Sequence, residues 1–326
     1  MIQDQIGQST AWMQEGLRLA ARNEWVSALA QFDESLAVRS SWQWQSDPHL
    51  AWLLAAVWTN RADALVRLGL ESQALESLDR GIEVLKHTDL AENPAHLERW
   101  ILALIQRATL LVDTACYDRS QEDFREAETA LLRFGDRGFL SALLRLNRAR
   151  LELHLGKPVE SWEDAEAAIE ILKRLPPVPE VIEAGIKARS IGCRALAMLL
   201  ELPDGLERVG DWIAKATDLT EEALAWVRAS GFRGPWIADL VRYGAKIYRA
   251  CQPQFLGAFA TEWVGSEGPL AGDLELKREM RNEILLAKAE VEARVYRAAH
   301  DREWVERQTR VLKSLQAGEI GLMDDF

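Results

Sequence analysis

The stretch WMQEGLRLAARNEWVSALAQFDESL, Trp12 to Leu36, decides how this chain folds. Its first half sets Trp12, Gly16 and Leu19 at spacings of four and three, one face of a helix. Asn23-Glu24 interrupts the pattern, and Trp25, Ala28-Leu29, Phe32 and Ser35-Leu36 resume it. The spacing predicts two short helices joined by a tight turn. Small residues, Gly16 in one helix and Ala28 in the other, let the two backbones approach closely.

Further along the chain the same design returns. Trp58, Ala62 and Leu65 precede a turn at Gly69-Leu70, and Ala74-Leu75, Leu78 and Gly81-Ile82 follow it. The corresponding Ala28 and Ala74 are 46 residues apart. A shorter signal recurs as Arg61-Ala62, Arg107-Ala108, Arg148-Ala149 and Arg194-Ala195, with spacings of 46, 41 and 46. Each pair lies in an apolar helical run, where the alanine allows close packing. Phe124, Ala127, Leu131 and Phe134 mark a second helix in the third unit. Gly156-Lys157-Pro158 followed by Ser161-Trp162, Ala165 and Ala168-Ile169 marks one in the fourth.

These residues resemble the tetratricopeptide repeat (TPR) pattern of Trp, Gly and Tyr in a first helix and aromatic, Ala, aromatic and Ala-Leu in a second. Glu15 and Ser35 depart from it. The standard unit has about 34 residues, so a 46-residue spacing implies longer helices or loops, with Ser40 to Pro48 as an extension. The fold class that follows is all-α, an α-α superhelix or TPR-like solenoid of antiparallel hairpins. It would run as one solenoid over 1–326, clearest over 1–175, degenerate over 180–265, and capped by helices over 270–326. Prolines punctuate the units at Pro48, Pro94, Pro158, Pro203, Pro235, Pro253 and Pro269, with Pro176, Pro177 and Pro179 as a linker. Proline inside a helix costs about 3 kcal/mol, so this placement suits a chain of helices. Towards the end, Tyr243-Gly244 with Ile247 and Phe255 with Ala258-Phe259 read as a degenerate hairpin. Gly265 to Gly272 reads as an exposed loop, Leu274 to Ala299 as a long helix and Arg302 to Leu315 as a last one.

Composition narrows the function classes. Lys plus Arg number 39 and Asp plus Glu 51, a net charge of −12. With no basic run to neutralise phosphates, nucleic acid is not an expected partner. The longest apolar run, Leu50 to Trp58, has nine residues, against roughly 20 for a membrane span. No signal peptide is legible, and the expected location is cytoplasmic, with no membrane partner. Cys116, Cys193 and Cys251 are far apart and form no C-x-x-C pair, so buried small hydrophobes are expected.

Motifs for chemistry are missing. His49, His87, His96, His154 and His300 include no H-E-x-x-H. There is no phosphate-cradling loop, no dinucleotide motif and no nucleophile elbow. The carboxylates at Glu122-Asp123, Glu126 and Glu128, and at Glu160, Glu163-Asp164 and Glu166, read as solvated helix faces. No enzyme activity, cofactor or metal is expected.

The resemblance implies a groove lined by first helices, in which a segment of another protein or a peptide lies. On that basis the inward places are Met13, Leu17, Asp63, Arg67, Asn147, Arg150 and His154. One branch of the family clamps a partner's C-terminal carboxylate with Lys and Asn in the first hairpin and Asn in the second. Here Met13 and Leu17 stand at the first two places and only Asn60 matches, so that role is not expected. Among 13 tryptophans, Trp12, Trp25, Trp58, Trp100 and Trp162 fall on apolar stripes and read as core. Trp42 and Trp44, around Gln43, either cover a neighbouring helix or anchor a partner; Trp236 is a weaker candidate. The expected function is a non-enzymatic scaffold or adaptor. A filament- or cytoskeleton-associated factor like the kinesin light chains, or a peptide- or ligand-sensing regulator, are the alternatives. Self-association is compatible with each.

Overall fold

A computed structural model describes residues 2–298, apart from 89, 91–92, 136–137, 202–208, 231–235 and 267, together with 309, 310 and 313. The last expected helix lies almost wholly outside these residues, as do Pro203, Pro235 and His300. Among the described residues every regular element is helical, and they divide into two compact units, 1–154 and 155–326.

The first unit holds α1 (Ile2–Ala21), α2 (Trp25–Arg39), α3 (Pro48–Arg67), α4 (Glu71–Leu85), α5 (Pro94–Asp113), α6 (Tyr117–Phe134) and α7 (Phe139–His154). Three antiparallel hairpins, α1–α2, α3–α4 and α5–α6, stack in order, and α7 packs on the third. First helices also meet first helices, α1 against α3, α3 against α5 and α5 against α7. The long repeat now has a cause. α1, α3 and α5 have 20 residues each, α2 and α4 have 15, the turn inside each hairpin has three, and the connection between hairpins has eight. In the third unit α6 grows to 18 residues, but α7 has only 16 and the connection before it only four, which shortens the spacing to 41.

Caps and turns repeat at the same interval. The Asp47 carboxylate accepts from His49 N and Leu50 N at 2.9 and 3.2 Å, and Asn93 Oδ1 accepts from Ala95 N and His96 N at 3.1 and 3.4 Å. Each cap is followed by a proline whose missing N–H costs nothing in a first turn. Inside the hairpins the chain reverses through a left-handed residue: Asn23 (φ 61°), Gly69 (72°) and Ala115 (58°). The next residue then donates back into the first helix, Glu24 N to Leu19 O, Leu70 N to Leu65 O and Cys116 N to Leu111 O, at 2.8–3.0 Å. Glycine meets this φ without strain, whereas alanine does not. Ala115→Gly is therefore expected to raise stability by about 0.5–1 kcal/mol, read as a higher denaturation midpoint; a lower one would refute the strain.

The core is built as the pattern implied. Ala28 and Ala74 are fully buried, Phe32 and Leu78 nearly so, and Ala62, Ala108 and Ala149 are at most 1% exposed. Gly16 is needed where it stands, since a Cβ there would lie 2.5 Å from the Phe32 ring. Phe124, Ala127 and Leu131 are buried as expected, while the Phe134 side chain lies outside the described ones.

The arginine of the Arg-Ala signal has a role of its own. Arg61 reaches back to Asp33 of the preceding second helix at 2.6 Å and to Ser77 Oγ of its own at 2.6 Å. Arg107 does the same one repeat later, to Asp79 at 2.6 Å and to both oxygens of Asp123 at 2.6 and 2.8 Å. Arg148 meets Glu128 at 2.8 Å. These arginines staple successive hairpins together.

Two sequence expectations need correction. Trp162 is buried, but Trp12, Trp25, Trp58 and Trp100 are half-buried. Long cationic side chains roof two of them: Arg67 lies 5.4 Å from the Trp25 ring centre and Arg61 5.8 Å from that of Trp58. Cys193 is buried, and burial pushes its thiol up to about 12. Cys251 is half-buried, while Cys116 is exposed because it occupies the α5–α6 turn. Maleimide should accordingly modify Cys116 first in the native chain and Cys193 only on unfolding; early loss of the Cys193 thiol would contradict this burial.

The second unit comprises α8 (Pro158–Leu172), α9 (Pro179–Leu200), α10 (Val209–Ser230), α11 (Trp236–Cys251), α12 (Leu256–Val264) and α13 (Leu274–Ala298). α9 packs against α8, α10 and α11, and α11 against α12 and α13. The expected late hairpin is α11–α12, with the Tyr248 and Phe259 rings 4.8 Å apart. Arg189 of α9 is fully buried, its guanidinium 4.3 Å from the Trp226 ring centre and paired with Glu222.

Candidate functional site: the first-helix face of residues 1–154

Helical spacing puts His49, Trp52, Ala56, Asp63 and Arg67 along one stripe of α3, and Arg99, Gln106 and Asp113 along one of α5. α1 adds Leu17, which is 44% exposed, and Val66 beside Arg67 is 42% exposed. Asp63 is open to water on one side, yet enough protein surrounds it that burial raises its carboxyl above the ordinary range. Arg67, one turn on, pulls the other way without cancelling this.

The expected contact residues divide. Leu17, Asp63, Arg67 and His154 are exposed, with the His154 ring 6.0 Å from that of Tyr117 and tilted by 31°. Arg150 is half-buried and paired with Asp113. Asn147 Nδ2 donates to Leu143 O of its own helix at 2.8 Å, as Asn60 Nδ2 does to Ala56 O at the same distance. These amides are engaged by the turn below them. Met13 and Trp42 sit in the core instead, 9% and 7% exposed. Met13 packs in the cluster around Phe32. Trp42 lies beside the buried Arg39 guanidinium, 5.7 Å from its ring centre, and so covers a helix and is no exposed anchor. Trp44 is half-buried, edge-on to His87 at 5.3 Å. Trp236 is half-buried under Lys187 at 5.7 Å.

Sequence reasoning missed Trp52, His96 and Arg99. The signal was present in Asp47-Pro48 and Asn93-Pro94, two capped helix starts 46 residues apart. They set the helix starts early enough to place Trp52 and Arg99 on the first helices.

A cleft of about 370 Å³ lies between α5 and α6 with Trp100 on one side and Arg125 and Arg133 on the other. Among the described residues no group of three His, Cys, Asp or Glu side chains could hold a metal ion, and no helix is long and apolar enough to cross a membrane.

No protein-family model and no curated protein matches the chain. Solved structures do. Aspartyl phosphate phosphatase F from Bacillus subtilis is 12% identical, with a TM-score of 0.56 over 99% of this chain and 74% of that one. A Rap protein complexed with competence and sporulation factor is 12% identical, with a TM-score of 0.52 over 95% and 75%. The TPR-like repeats of a putative kinesin light chain from Podospora anserina are 14% identical, with a TM-score of 0.49 over 68% and 95%. At such identities the likeness to the first two speaks of fold alone, and together with the hairpins above it identifies this chain as an all-α protein of TPR-like helical hairpins.

Proposed function

We propose that the chain is a non-enzymatic interaction module whose first-helix face, in residues 1–154, receives a segment of a partner protein. The observation that supports this best is the exposed stretch of α3 at Asp63, Val66 and Arg67, an acid and a base one turn apart with an apolar side chain between them in the chain, together with the exposed Leu17 on α1. Apolar surface bounded by fixed charges suits a peptide, because burial supplies affinity and charge supplies register. The Rap protein of similar fold was solved as a complex, which agrees with this reading. The likeness to a phosphatase is one of fold and transfers no activity.

Site-specific photo-crosslinking in cells tests the proposal. A crosslinker at position 17 or 63 is expected to capture one and the same partner, and a crosslinker at position 125 in the α5–α6 cleft is not. Arg67→Ala should then weaken that partner about tenfold, the value of one charge-assisted contact. Adducts at position 125 alone, or none at any position, would sink the reading.

A further inference from the structure

Arg99 differs from four other half-buried arginines of residues 1–154. Arg61, Arg107, Arg148 and Arg150 each hold a carboxylate. Among the described residues Arg99 holds none. Its Nη1 donates to Thr59 Oγ1 at 3.1 Å, and its guanidinium carbon lies 5.3 Å from the Trp52 ring centre. Burial lowers its pKa, with Glu98 next in the chain opposing this only in part. Its Nε is buried with no acceptor. Trp52 Nε1 is likewise buried without one.

Histidines flank the Trp52 ring. His49 is stacked 6.4 Å away with planes 16° apart, and His96 is 6.1 Å away at 24°. The cluster thus joins a fixed cation, two donors without acceptors and three stacked rings. Asp47, at the start of α3, is spent on capping that helix. Burying a cation without a counter-ion is costly, and an anion drawn to the solvent-facing side of the half-buried guanidinium would lower that cost. One guanidinium matches one carboxylate. A polyanion such as nucleic acid would instead meet a chain of net charge −12.

We propose that His49, Trp52, His96 and Arg99 form a receptor for an acidic side chain of a peptide lying on the first-helix face. This rests on the interaction reading above and names the chemistry of the partner: a segment with Asp or Glu opposite the start of α3 and α5.

The test uses the full chain and watches the Trp52 indole N–H by NMR, its signal assigned as the one lost in Trp52→Phe. The probes are a tetraglutamate peptide and its tetraglutamine counterpart, both acetylated and amidated at their ends. The signal is expected to move on titration with tetraglutamate and to stay put with tetraglutamine. Arg99→Gln should weaken the tetraglutamate response about tenfold, with the other indole signals unmoved. Equal movement with both peptides, no movement with either, or an unchanged response in Arg99→Gln overturns the inference. So does inorganic phosphate acting as strongly as tetraglutamate, which would make this a small-anion site. The comparison of the two peptides on the unaltered chain decides the matter even if Arg99→Gln folds poorly. Failure here leaves the crosslinking result at positions 17 and 63 standing, so the two readings fall separately.

Discussion

Arg107→Met is expected to lower the unfolding free energy by about 2–4 kcal/mol. Asp123 is only 4% exposed and receives two of the three hydrogen bonds that Arg107 makes. Burial alone would lower the pKa of the Arg107 guanidinium, but the Asp123 and Asp79 carboxylates raise it above its ordinary value. Removing the arginine leaves the Asp123 charge buried without its partner, the costly half of breaking an ion pair. Asp79 is half-exposed and can turn to water, so it adds little. The stated range sits below that for fully buried pairs because Arg107 retains some contact with solvent. Adding Asp123→Leu should recover more than half of the loss, since the stranded charge goes with it. Denaturation midpoints at constant m-value measure both steps. If the double variant is no more stable than the single one, the loss comes from packing and not from charge.

At Arg39 the same substitution is expected to be mild. Arg39 is 1% exposed, and burial lowers its pKa to about 10, yet among the described residues it meets no carboxylate. It donates from Nε to Ser9 Oγ at 3.3 Å and from Nη1 to the Leu53 carbonyl, so it ties α1 and α3 to the end of α2. The carbonyls of that helix end favour the cation. Arg39→Met keeps the volume and strands no charge, so a loss of about 1 kcal/mol is expected. Arg39→Ala removes the volume as well and should cost about 2–4 kcal/mol through the cavity left beside Trp42. Equal losses for Met and Ala would mean that the hydrogen bonds, and not the filled space, are what Arg39 contributes.

These two arginines show where sequence reading stops. Arg107 belonged to a visible repeat, but its partners stand 28 and 16 residues away on other helices. Arg39 belonged to no repeat signal and is among the largest fully buried side chains. Trp42 and Trp44 looked alike from their polar surroundings, yet one is core and the other half-buried. Segments without periodicity carry no signal for which side faces in.

The amino-acid order by itself determined the helical hairpins. Periodicity, small residues at close approaches, and turn or proline positions are local properties, and local hydrogen bonds enforce them at every repeat. The tertiary structure alone decided which charges are satisfied. Arg150 lies on the predicted face and is already paired with Asp113, while Arg99, on a first helix too, holds no carboxylate among the described residues and keeps an Nε without an acceptor. The reason is physical: a helical period needs only neighbours in the chain, whereas the balance of a buried charge depends on groups brought close from distant parts of it.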